Sequence, residues 1–178
     1  EVDGQITIKS YIGFDDLDVV VIPDRINDLM VTKIGEKAFA NCENVKEVVL
    51  PKFLITIEDR AFSGSGLTTI FLPKSLIHIG KSAFAFSNLE KINIPSKVKR
   101  ISDSAFYYCS NLKEISFSDG IMHIDNEAFA KCTSLLKIDI PNSVQTIGKK
   151  AFDVGVINNM QLRIPNNCKE IFWGSEMG

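Results

Sequence analysis

Few side chains in this sequence are of the kinds that do chemistry, and their spacing argues against a catalytic or metal centre. There are two histidines, His78 and His123, and four cysteines. The histidines fall at matching positions of a repeated unit, two units apart, with Arg100 at the position between. Rungs of a stacked sheet lie ~4.8 Å apart, so the two rings are expected about 10 Å from one another, too far for one zinc ion to take both. Cys42, Cys109 and Cys132 each follow a phenylalanine by three residues. In that apolar slot a thiol is expected to stay protonated, unreactive and free rather than bridged. Cys168 stands outside that register. Asp15, Asp16 and Asp18 form an acidic cluster that reads as a solvated loop rather than a calcium site, and Gly64-Ser65-Gly66 reads as a tight turn rather than a phosphate loop. No C-x-x-C, H-E-x-x-H or G-x-S-x-G is present. The chain reads as a non-enzyme with no cofactor and no metal.

The elements that would position any site are set by a repeat. Phe39, Phe62, Phe84, Phe106, Phe129 and Phe152 recur at intervals of 23, 22, 22, 23 and 23 residues. Each follows an alanine, and an isoleucine stands five residues ahead of each, at Ile34, Ile57, Ile79, Ile101, Ile124 and Ile147. A fixed period of this length marks a stacked array. A single unit of 22 residues buries too little apolar surface to offset its ordering entropy, so units are stable only against neighbours.

Each unit divides in two. Runs such as Leu89-x-x-Ile92-x-Ile94-Pro95 and Leu135-x-x-Ile138-x-Ile140-Pro141 alternate at their ends and predict main strands, with proline closing the ladder. In the fourth unit Ser118-Asp119-Gly120 replaces the proline turn. Segments such as Val98-Lys99-Arg100-Ile101 predict short second strands, and the Gly-x-x-Ala-Phe stretch after them fits one helical turn. Units two and three are one residue shorter between Phe and Leu and lack the cysteine, which predicts a tighter turn at Gly64-Ser65-Gly66.

Residues 1–18 do not match the repeat. Gln5-Ile6-Thr7-Ile8-Lys9 with Gly13 reads as a short hairpin capping the stack. Residues 19–165 read as a solenoid of about six units, and residues 166–178 as a C-terminal cap or truncated repeat, with Trp173 as a terminal plug. The whole is one domain, expected to be a monomer. The formal net charge of −2 and pI near 5.7 tell against a nucleic-acid partner. No apolar run nears the ~20 residues of a membrane span, so no direct membrane insertion is expected. The chain opens on Glu1 rather than Met and reads as a trimmed product.

The signature Ile-Gly-x-x-Ala-Phe-x-x-Cys-x-x-Leu-x-x-Ile-x-Ile-Pro, best seen in Ile101 to Ile115 and Ile124 to Pro141, resembles the BspA-type leucine-rich repeat family of bacterial and protozoan surface proteins. Asp3-Gly4-Gln5-Ile6, Tyr11-x-Gly13 and Val21-Ile22-Pro23 are similar to that family's N-terminal unit. The resemblance implies a β-rich α/β solenoid: a right-handed leucine-rich-repeat array with a parallel main sheet, short second strands and single helical turns. It also implies a secreted or cell-surface location and adhesive or ligand-binding roles toward a protein or glycan, host extracellular matrix being one candidate. Proline follows the strand here and cysteine precedes it, which departs from the commoner leucine-rich pattern and tells against a horseshoe with full outer helices.

What remains for function is surface. In the main strand the residue between the two apolar positions of I-x-I-P is expected to face out, giving the row Val21, Val49, Phe71, Asn93, Ser116, Asp139 and Arg163. A second row, two residues earlier, is Val19, Glu47, Thr69, Lys91, Glu114, Lys137 and Gln161. Lys91, Glu114 and Lys137 alternate in sign, which favours neighbouring rungs. The candidate partner-binding residues are Val49, Phe71, Asn93, Ser116, Asp139, Arg163, Thr69 and Lys91, because Val49 and Phe71 set an apolar strip where water should be. Two readings stand: a binding or adhesion module using this outer face, or a rigid structural spacer within a longer surface protein.

Overall fold

The computed structural model describes residues 4–13, 17–154 and 161–172. These form a β-solenoid of about seven turns. The main face carries β2 (Val19–Val21), β5 (Glu47–Val49), β7 (Thr69–Ile70), β9 (Lys91–Ile94), β11 (Glu114–Phe117), β13 (Lys137–Asp139) and β15 (Gln161–Arg163). The second face carries β1 (Gln5–Ile8), β4 (Leu29–Ile34), β6 (Thr56–Ile57), β8 (His78–Ile79), β10 (Arg100–Ile101), β12 (His123–Ile124), β14 (Thr146–Ile147) and β16 (Glu170–Ile171), with β3 (Arg25–Ile26) beside β4. Apart from β3, every pairing is parallel, as a chain that advances one coil per turn requires. Equivalent residues pair throughout, Ile34 with Ile57, Ile57 with Ile79 and Ile124 with Ile147.

Between the second and main strands runs a third face, where the sequence predicted single helical turns. No helix occurs among the described residues. Each Gly-x-x-Ala-Phe stretch is instead a chain of tight turns in which Ala38 N–H returns to Gly35 O and Ala40 N–H to Lys37 O. The residue before each alanine (Lys37, Arg60, Ser82, Ser104, Glu127, Lys150) has φ between 52 and 56, the positive value a type II turn needs at its third residue. The N–H of each core phenylalanine then donates not four residues back but to the alanine carbonyl of the next coil: Phe39 to Ala61 at 2.7 Å, Phe84 to Ala105 at 2.8 Å, Phe106 to Ala128 at 2.9 Å. The physical reason is width. An α-helix with its side chains is about 10 Å across, twice the ~4.8 Å rung spacing that the sheets impose.

The core rings stack at that spacing. Tyr11, Phe39, Phe62, Phe84, Phe106, Phe129 and Phe152 form one column with successive centroids 5.1 to 5.5 Å apart. Phe39, Phe62, Phe84, Phe106 and Phe129 are fully buried. Ile34, Ile57, Ile79, Ile101, Ile124 and Ile147 of the second strands and Leu67, Leu89, Leu112 and Leu135 ahead of the main strands, all buried, complete the interior.

The N-terminal segment differs from the expected hairpin. β1 pairs with β4 in parallel, and Tyr11 stacks on Phe39 at 5.2 Å, so this segment is a degenerate first coil whose ring comes three residues after Ile8 rather than five. The hairpin lies further on: β3 and β4 are antiparallel, joined through Asn27 and Asp28 with φ 49 and 62, the two left-handed residues of a type I′ turn. Cys168 stands outside the slot of the other three cysteines, as expected, and takes a different place in the repeat. It precedes Ile171 by three residues, as Val144 precedes Ile147, and its N–H bonds Pro165 O as that of Val144 bonds Pro141 O, both at 3.1 Å. Asp15, Asp16 and Trp173 lie outside the described residues.

Candidate functional site

Period-two alternation on the main face sorts side chains as expected. Val48, Ile70, Ile92, Ile115 and Ile138 turn inward and are buried. Their neighbours turn outward: Val21, Val49 and Phe71 are 67%, 42% and 71% exposed, and Asn93, Ser116, Asp139 and Arg163 are exposed as well. Register holds the row in line, with Val21 opposite Val49, Asn93 opposite Ser116 and Asp139 opposite Arg163. In the second row Lys91 stands opposite Glu114, while Glu47 and Thr69 are half-buried.

The main ladder is not continuous. It divides into β2-β5-β7, β9-β11 and β13-β15. At the first division, between β7 and β9, a surface depression of about 370 Å³ is lined by Thr69, Phe71, Lys91, Asn93, Glu114 and Ser116 among others. Ser116 Oγ donates to Asn93 Oδ1 at 3.1 Å on its floor. Five of the eight sequence-derived candidates meet there. Asp139 and Arg163 line a second depression, about 690 Å³, with Phe117 and Asn142. Val49 lies outside both, one rung before Phe71. Lys137 turns its amine to Asp139 of its own strand at 2.8 Å; with both groups exposed, that pair contributes little.

The groups with chemical potential are otherwise engaged. His123 Nδ1 bonds Thr146 Oγ1 at 2.8 Å, and His78 is exposed. All four cysteines are free. The Cys109 thiol donates to Phe84 O at 3.1 Å, and that of Cys132 to Phe106 O at 3.2 Å. Burial pushes the Cys109 thiol up to about 11 and the Cys132 thiol higher still, which removes their nucleophilic form at neutral pH. In the shorter coils the same slot holds Ser65 and Ser87, and Ser87 Oγ meets Cys109 Sγ at 3.4 Å. Among the described residues no group of three or more His, Cys, Asp or Glu is placed to hold a metal, and no helix is long and apolar enough to cross a membrane.

One exposed group escaped the sequence reading. Phe86, Tyr107 and Tyr108 cluster on the turn face, with Phe86 and Tyr108 about half exposed. The available signal was their place two residues past the core ring, where other coils carry Asn41 and Gly64.

With this geometry in view, comparison decides the family. Residues 32–159 match the BspA type leucine rich repeat region in six copies. The chain belongs to the BspA-type leucine-rich repeat family. Among solved structures this BspA-type chain is similar to the pneumococcal vaccine antigen PcpA, at 27% identity and a TM-score of 0.71 over 85% of this chain and 41% of that one. It also shares its fold with a leucine-rich repeat protein from Bacteroides ovatus (24% identity, TM-score 0.60, 97% of this chain and 58% of that one). A third is a leucine rich cell surface protein from Faecalibacterium prausnitzii (24%, 0.63, 90% and 52%). The BspA-type chain thus spans about half the length of these three solved structures. Curated proteins give no match. Membership in this family is consistent with a surface binding or structural module.

Proposed function

We propose that this BspA-type domain is a non-catalytic binding module, secreted or displayed at a cell surface, that holds a protein or glycan on the outer face of its main sheet. The observation that carries this reading is Phe71. It is an aromatic side chain 71% exposed, in line with exposed Val49 and Val21, and it stands at the edge of a depression lined by Thr69, Lys91, Asn93 and Ser116. Apolar anchors beside polar groups of fixed geometry are what recognition sites share. Lys91 and Glu114 at the rim add charge of both signs, which favours orientation over bulk affinity. The names of the similar solved structures, a vaccine antigen and a cell surface protein, agree with exposure outside the cell.

The spacer reading has its own support. A buried column of rings 5.1 to 5.5 Å apart ties each coil to its neighbours through one continuous interior, as a spacer requires. The two readings separate in a solid-phase assay on immobilised extracellular-matrix proteins and a glycan array, with wild type beside the Val49→Asp, Phe71→Asp double variant. A binder loses about tenfold or more of its affinity with its circular dichroism unchanged. Equal binding by the double variant rules out this face, and wild type that binds nothing on the panel favours the spacer.

A further inference from the structure

On the turn face, away from both sheets, Phe86 and Tyr108 occupy equivalent positions of successive coils, two residues after Phe84 and Phe106. Their rings stack at 5.5 Å with 29° between planes, and Tyr107 meets Phe86 edge-to-face at 5.4 Å. Phe86 and Tyr108 are 54% and 50% exposed, so they are not core. Their backbone is left-handed, with φ 60 and 57, an outlying conformation for a bulky side chain. Other coils fill this position with Asn41, Gly64 and Lys131, of which Asn and Gly adopt that backbone readily. Folding alone therefore favours Asn or Gly here, and two exposed aromatics held in strained backbone point to a task outside folding.

The surroundings define that task. Tyr108 lies against one face of Phe86. On the other side along the stack the position belongs to Gly64, which has no side chain, and the Asn41 carboxamide reaches over it, its Oδ1 2.5 Å from where a Gly64 Cβ would stand. The nearby cation Lys131 is held by Asp153 at 2.9 Å, so no unbalanced charge is offered to a ligand. Three rings, partly exposed, present on the order of 250 Å², far short of the ~800 Å² per partner of a stable protein interface. That area fits one or two sugar rings. The apolar C–H face of a pyranose packs on an aromatic ring, while its hydroxyls bond a carboxamide and phenol O–H groups.

We propose that Phe86, Tyr107 and Tyr108, with Asn41 across Gly64, form a binding site for a neutral hexopyranose unit of a glycan, distinct from the main-sheet face. The test is titration of the whole chain with chitohexaose, cellohexaose and maltohexaose, followed by saturation-transfer NMR and calorimetry. At least one should bind with a dissociation constant below about 1 mM. The double variant Phe86→Asn, Tyr108→Asn, patterned on Asn41, should weaken that binding about tenfold or more and keep or raise the thermal midpoint. If the asparagine pair does not fold, Phe86→Lys with Tyr108→Lys, patterned on Lys131, serves in its place. The Val49→Asp, Phe71→Asp variant should bind the sugar as wild type does, which separates this site from the main-sheet reading. No binding to any of the three at about 10 mM, or binding that survives loss of both aromatics, overturns the proposal. Self-association by sedimentation that the asparagine pair abolishes would overturn it in favour of a second copy of the chain.

Discussion

The rings of Phe62 and Phe84 lie within 3° of parallel, with centroids 5.3 Å apart. One unit's core residue is thus walled on both sides by its counterparts in the units before and after, and no coil owns a complete interior. The fold therefore depends on the column being unbroken.

Removing a ring from the middle of the column should therefore cost more than removing one near its end. Phe106 is fully buried between Phe84 and Phe129 at 5.3 and 5.2 Å. Phe106→Ala is expected to lose about 3–5 kcal/mol. Phe152, only partly buried and stacked among the described residues on Phe129 alone, should lose less. Urea unfolding followed by circular dichroism measures both. A cost below about 1 kcal/mol for Phe106→Ala would contradict the column's role.

How far the sequence reveals this architecture depends on which face is considered. The sheets and the ring column were legible because Ile34, Ala38 and Phe39 have counterparts at a near-constant interval, and the outward row from Val21 to Arg163 follows from alternation alone. The turn face was not legible. Gly-x-x-Ala-Phe has the length of one helical turn, and the residues that take left-handed backbone there are Lys37, Arg60, Ser82, Ser104, Glu127 and Lys150, none of a type that advertises it. The first coil was hidden because a tyrosine replaces the phenylalanine at a shorter spacing. Phe86 and Tyr108 were hidden because they sit at positions that vary from coil to coil.

Those left-handed residues offer a stabilising change that touches no contact. Ser104 has φ 54, and a non-glycine residue in this region is strained by roughly 1–2 kcal/mol. Glycine relieves the strain but widens the unfolded ensemble at a cost of roughly 0.5–1 kcal/mol. Ser104→Gly is expected to stabilise by about 0.5–1 kcal/mol, and Ser104→Val to destabilise. Thermal midpoints should move about 2–4 °C per kcal/mol for a chain of this size.

The glycines that open the turn face behave in the opposite way. A Cβ on Gly80 would stand 2.5 Å from Asp59 N and 2.6 Å from Glu58 C, and one on Gly148 2.5 Å from Asn126 N. Backbone of the preceding coil occupies that space, so Gly80→Ala and Gly148→Ala should each destabilise by about 1–3 kcal/mol. At the equivalent place in the fourth unit Ser102 is accommodated, its Oγ donating to Ile79 O at 2.6 Å. Ser102→Ala should cost only about 0.5–1.5 kcal/mol, the value of one hydrogen bond. Chemical denaturation of the three variants side by side checks the order.

The buried thiols give stability an alkaline limit. Burial raises the Cys109 thiol to about 11 from an ordinary value of 9.0, and Cys132 is raised further by the same cause with Cys109 beside it. Between the two values the folded chain keeps a proton that the unfolded chain has released. The contribution is therefore complete below about pH 8.5 and is lost as pH rises toward 11, by roughly 1.4 kcal/mol per pH unit for each thiol. Serine already fills this slot at Ser65 and Ser87, so Cys109→Ser with Cys132→Ser should fold. Its stability should fall less steeply than wild type in urea titrations at pH 8, 9 and 10, other alkaline groups being common to both. Folded wild type at pH 8 should also resist iodoacetamide at Cys109 and Cys132. Parallel pH curves for the two proteins, or prompt alkylation of either thiol, would show that the slot is wetter than its burial indicates.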